Sequence, residues 1–145
     1  AHEALELWPK GEDEPARLAL LGQLAQCARV SGRFHLAVQA LREILESPLV
    51  RDDAQKMGET HRALAISHAL TGAWHQYKQA RQAAAVAYET AERWAEAAAD
   101  WHELANRHTD ELALAAALAA ADRAVACAQQ SEQPELVAKT LGNKG

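Results

Sequence analysis

The chain has 145 residues and a mass of 15.7 kDa, enough for one modest core and too little for two ordinary domains. With 49% hydrophobic and 24% charged residues it falls in the globular range, which excludes wholesale disorder and collagen-like structure. Fifteen basic against twenty acidic residues give a formal charge of -5 with no Lys/Arg cluster, which argues against direct nucleic-acid binding. Within those totals the chain holds 35 Ala and 18 Leu against 4 Pro and 7 Gly, with few Val, Ile and Thr. That is the composition of helices and not of strands, so an all-α fold is expected.

Turn residues then divide the chain. Residues 1–8 read as the end of a preceding helix. Glu14-Pro15 starts the next, since Pro suits the first helical turn, and Ser31-Gly32 ends it. A second helix is expected from Arg33 to Glu46, closed by Ser47-Pro48. Asp52 and Gln55 have capping-box spacing and open a third, which stops at Thr71-Gly72. A fourth covers Ala73 to Thr90, a fifth Arg93 to His108 and a sixth Asp110 to Gln129, and Gln133-Pro134 opens a seventh. The short connections require successive helices to pack antiparallel.

Leu24-Ala25, Leu64-Ala65 and Leu104-Ala105 recur at a spacing of 40. Leu21, His61 and Trp101 stand three positions before each Leu, and Ala28, His68 and His108 three after each Ala. Gly32 and Gly72 follow, then Phe34 and Trp74, then Ala37 and Tyr77. One helical hairpin is therefore repeated, with repeats at 15–48, 52–91 and 93–130 and a partial fourth at 134–145, and Leu141-Gly142 as its Leu-small pair. Small residues at the shared positions let helices approach closely, and stacking supplies the continuous core that one hairpin lacks. Trp74, Trp94 and Trp101 are expected to fill that core, and Cys27 and Cys127 to be buried, inert thiols in a reducing compartment. The longest apolar stretch, Leu112 to Ala121, is too short to span a bilayer, so neither a membrane nor a secretory route is expected.

No constellation for chemistry stands out. His61, His68 and His75 are seven apart, about 10 Å along a helix axis and too far for adjacent ligands on one zinc ion. His102-Glu103 lacks the second His of a zinc-protease helix, Asn106 standing there instead. Neither a nucleophile elbow nor a phosphate loop is found, so no metal, cofactor or enzymatic activity is expected. Glu89, Glu92, Glu96 and Asp100, at helical spacing with Arg93, read as a solvated face.

The run Leu21, Leu24, Ala25, Ala28, Gly32, Phe34, Ala37, Leu41 resembles the signature of tetratricopeptide (TPR) repeats, and Thr60 to Arg81 repeats it with substitutions. In the third repeat Leu112 replaces the turn glycine. The 40-residue period and Ala-rich helices also resemble the helical arrays of large bacterial ATP-binding transcription regulators of the LuxR and MalT type. These resemblances imply a right-handed α-solenoid of about three hairpins, with partial end helices. They imply a non-catalytic interaction or ligand-sensing module, excised from a longer cytoplasmic signalling regulator, that takes a protein, a peptide or a small-molecule effector. The alternative is a stand-alone adaptor that self-associates through its end helices. The first helix of each TPR hairpin lines a groove, which carries over to Gly22, Gln26 and Arg29, to Glu59, Arg62 and Ile66, and to Ala99, His102 and Asn106. Co-chaperones of that family grip heat-shock-protein tails with Lys and Asn, where Gly22 and Gln26 stand here, which argues against that ligand.

Overall fold

The computed structural model describes residues 13–131. These form seven helices: α1 Glu14–Val30, α2 Phe34–Glu46, the single turn α3 Pro48–Arg51, α4 Ala54–Thr71, α5 Trp74–Thr90, α6 Trp94–Asp110 and α7 Leu114–Ser131. No strand occurs among the described residues. The expected helices at 1–8 and 134–145, with Leu141-Gly142, lie outside them.

The six long helices begin at residues 14, 34, 54, 74, 94 and 114, so each starts 20 residues after the one before, half of the 40-residue repeat. A recurring turn sets this beat. Gly32, Gly72, Glu92 and Leu112 all take left-handed backbone, with φ of 82°, 73°, 59° and 61°. At each, the next N–H reaches back five residues: Arg33 to the Ala28 carbonyl, Ala73 to His68, Arg93 to Tyr88 and Ala113 to His108, at 2.7–2.9 Å. These are Schellman turns, which satisfy carbonyls the helix end would leave unpaired. Leu112 therefore does the work of the glycine it replaces. The exception is the α2–α4 connection, where Pro48 opens α3 instead of ending the chain's helical course and Val50 is buried. The cap beyond it is Asp53, whose side chain accepts from the Lys56 N–H, and not the expected Asp52, while Gln55 donates to Glu59. The last helix starts at Leu114 and not at Asp110, because residues 111–113 are taken up by the turn.

Each long helix packs against its neighbours in sequence, α1 on α2, α2 on α4, α4 on α5, α5 on α6 and α6 on α7, with α3 wedged between α2 and α4. The repeat positions line the contacts: Ala25, Ala65 and Ala105 are buried, as are Ala37, Tyr77 and Ala117. Two clusters result. One gathers Leu21, Leu41, Ile44, Val50, Leu64 and Tyr77, and the other gathers Ala84, Ala85, Tyr88, Trp101, Leu104 and Cys127. Gly58 lets α5 come close, since a Cβ there would meet the Tyr88 ring at 2.9 Å. Trp101 is buried and Trp94 packs beside it, but Trp74 is 37% exposed and lies under the Arg107 guanidinium at 3.9 Å. Cys127 is buried as expected, whereas Cys27 is exposed on the outer side of α1.

Candidate functional site

The seven nominated groove residues do not form one surface. Gln26, Arg29 and Glu59 come together, with Gly22, around a cleft of about 440 Å³ between α1, α2 and α4. Its walls are Ala25, Leu41, Ile44 and Ala63, with the Thr60 and Ser67 hydroxyls between them. Ile66 and Asn106 line a second cleft of about 340 Å³ between α4, α5 and α6, beside Trp74, Tyr77 and Arg81. His102 is exposed and borders neither.

The two clefts are one feature repeated. Residues 26, 29, 41, 63 and 67 of the first correspond, 40 positions on, to 66, 69, 81, 103 and 107 of the second. What differs is the filling. In the second, Asp100 is wholly buried and accepts from Arg62 Nε at 3.1 Å, Arg62 Nη2 at 3.0 Å and Arg81 Nη1 at 2.7 Å. Arg62 Nη2 also donates to the Glu96 carbonyl at 2.8 Å, and its guanidinium lies 4.7 Å from the Tyr88 ring centre. Arg81 faces Tyr77 in the same way, at 5.3 Å. Burial works against the Arg81 charge, but the Asp100 hydrogen bond, together with Tyr77 and the Asp100 charge, outweighs it and raises its pKa. Arg62, expected to offer its donors to a ligand, is thus bound into a clamp joining α4, α5 and α6. The acidic face is corrected likewise: Asp100 is core, and Glu89 accepts from the Trp101 indole N–H and from Arg123 at 2.8 Å.

At the first cleft the counterparts of Arg62, Arg81 and Asp100 are Gly22, Leu41 and Thr60. No clamp forms, and the space where a Gly22 side chain would stand is open. Thr60 donates to the Lys56 carbonyl and Ser67 to the Ala63 carbonyl, so each hydroxyl keeps its acceptor capacity. Arg29 makes no ion pair among the described residues, and Glu59 only accepts from Gln55 at 3.3 Å. An apolar floor with one cation, one anion and an amide on its rim suits a ligand with a polar backbone and a small apolar side chain. Sequence reasoning missed Leu41, Ile44 and Thr60, which lie outside the inward positions of the first helices, and put the buried Asp100 on a solvated face.

Among the described residues no three His, Cys, Asp or Glu side chains gather as metal ligands. Burial lowers the pKa of His61, and burial together with Arg42 lowers that of His68, so both stand neutral at pH 7. Burial, then Glu89, pushes the Cys127 thiol up to about 11, which leaves it unreactive. Among the described residues no helix is long and apolar enough to cross a membrane. Compared with family models, curated proteins and solved structures, the chain matches none.

Proposed function

We propose that this chain is a non-catalytic recognition module, a TPR-like right-handed α-solenoid serving as a ligand-sensing segment of a longer cytoplasmic signalling or transcription regulator. Its ligand is a peptide or protein segment seated between α1, α2 and α4. The observation that carries this reading is the difference between the two repeated clefts, one closed by the Arg62–Asp100–Arg81 clamp and the other left open at Gly22 with Gln26, Arg29 and Glu59 on its rim. The regular 20-residue beat of helix starts supports the repeat architecture.

The test is selection of short peptides from a random display library on the wild-type protein, followed by titration against Gly22→Arg and Arg29→Ala/Glu59→Ala. Loss of about tenfold or more in affinity in both variants, with helicity unchanged, is the expected result, equivalent to about 1.4 kcal/mol of binding. Peptides that bind both variants as they bind the wild type would remove the cleft from consideration.

A second reading is a stand-alone adaptor that self-associates through its end helices; those lie outside the described residues, and what favours self-association among the described ones is the row of exposed Leu114, Leu118 and Val125 on α7, at 66%, 65% and 57%. Sedimentation over a wide concentration range separates the two, since a monomer throughout refutes the adaptor.

A further inference from the structure

The cleft around Gly22 has a charge order as well as a shape. Gly22, Gln26 and Arg29 share one face of α1, and Thr60, Ala63 and Ser67 belong to α4 across the cleft, with Leu41 and Ile44 of α2 between them. The relative level of α1 and α4 follows from the sister interface, where Arg62 of α4 reaches residues 34 and 38 positions on, Glu96 and Asp100 of α6. The same offsets set Gly22 level with Lys56 and Thr60, and Arg29 level with Ala63 and Ser67. Glu59 therefore borders the Gly22 end of the cleft. Arg29 holds the other end, seven residues or about 10 Å along α1.

Both rim charges are available to a ligand, since neither Arg29 nor Glu59 makes an ion pair among the described residues. Lys56, one turn before Glu59, does not line the cleft. Arg42 adds positive charge at the Arg29 end: burial and then Arg42 lower the pKa of His68, the neighbour of Ser67 in the cleft wall. Nothing stands within 4 Å of where a Gly22 Cβ would be. The Thr60 proton is already used on the Lys56 carbonyl, so the space over Gly22 favours a hydrogen-bond donor.

We propose that this cleft selects its peptide by charge order, taking an extended partner segment with a basic side chain over Gly22 beside Glu59 and an acidic side chain, three residues away, beside Arg29. The inference rests on the peptide-binding reading above and adds the charge pattern of the ligand to it. The spacing follows from the cleft: in polyproline-II geometry residues three apart share a side and stand about 9 Å apart, which matches the separation of its two ends. A small apolar residue between them covers Leu41 and Ile44. Charges placed on a rim in this way set specificity and orientation more than raw affinity.

The test titrates the full chain, by amide chemical shifts, with terminally blocked peptides of Ala and Gln in which Arg and Glu stand three apart. Companion peptides carry Gln in place of either charge or of both. Expected are shifts centred on Gly22, Gln26 and Ala63, and binding about tenfold weaker when both charges are removed. Double-mutant cycles assign the order: Glu59→Gln should couple by about threefold to the peptide's Arg and Arg29→Gln to its Glu, while the crossed pairs stay independent. Coupling of the crossed pairs, no coupling in either cycle, or shifts centred elsewhere would overturn the charge order. Uncharged peptides that bind the cleft as tightly as charged ones overturn this inference and leave the recognition module standing. Failure of every peptide, blocked or library-selected, to bind removes both.

Discussion

Replacing Asp100 by Thr, the residue that stands at the equivalent position 60, tests whether the clamp is one coupled unit. Asp100 has no exposed surface, and its carboxylate receives three guanidinium hydrogen bonds. Without it, Arg81, whose side chain is only 11% exposed, is left as an uncompensated charge in the core. Breaking a buried pair from one side costs about 3–5 kcal/mol. The lower end applies here, because Arg62 is 29% exposed, keeps the Glu96 carbonyl and can turn its head to water. Arg81→Leu alone should cost less, about 1.5–3 kcal/mol, since Asp100 retains both bonds from Arg62. The double variant Arg81→Leu/Asp100→Thr copies the pair Leu41 and Thr60, which the first interface already accommodates without charge. It leaves no charge orphaned in the core, only Arg62, which keeps the Glu96 carbonyl and can reach water, so it should lose about 2 kcal/mol less than the two single changes added together. Urea unfolding followed by far-UV circular dichroism gives all four corners of the cycle. Additive single and double losses would refute the coupling and reduce the clamp to independent surface pairs.

Four further outcomes follow. Leu112 is 81% exposed at φ 61°, so Leu112→Gly removes left-handed strain without removing burial and should stabilise by about 1 kcal/mol. Gly72→Ala, at φ 73° with nothing near its Cβ, should destabilise by a similar amount, and unfolding that responds to neither change would contradict the turn assignment. A maleimide should modify Cys27 at the rate of an exposed thiol and Cys127 only as fast as the protein opens, so Cys27→Ser should remove nearly all native-state labelling. Burial holds His61 and His68 below their ordinary range, so the unfolded chain takes up protons that the folded chain resists. Stability should therefore be full above about pH 6.5 and fall as pH drops through the lowered values, and His61→Gln should flatten that slope.

The helices were legible because Gly, Pro and the 40-residue recurrence of Leu-Ala mark them independently of tertiary contacts. Boundaries drifted where tertiary geometry decides. Pro48 reads as a stop, yet it can equally open a turn, and only the burial of Val50 selects α3. Glu92 and Leu112 carry no local signal for left-handed backbone; Leu112 shares the 40-residue register of Gly32 and Gly72, while Glu92 stands half a period from them. Asp100 was misplaced by reading charges at helical spacing as solvent-facing. Its neighbours contained the contrary signal, since Ala97, Trp101, Leu104 and Ala105 put position 100 on the buried stripe of α6. The groove was legible in part. Position within the repeat located Gln26, Arg29 and Glu59 together, but nothing in the sequence of α4 announces that Arg62 has a buried partner 38 residues on.

A repeat protein lets each copy serve as a control for the others, and that comparison carries more functional information here than any single residue type does. The shared turns hold the backbone in register everywhere except the α2–α4 connection, so a difference in filling between equivalent clefts reflects mainly side-chain choice. One of the two inter-hairpin clefts is closed by the Asp100 clamp. Filling such space is the outcome packing favours, because voids forfeit dispersion and hydrophobic stabilisation. The unfilled copy, around Gly22, is therefore where the sequence departs from the packing its sister interface achieves. Departures of that kind are expected at binding sites, where stability is given up for a surface that a partner completes.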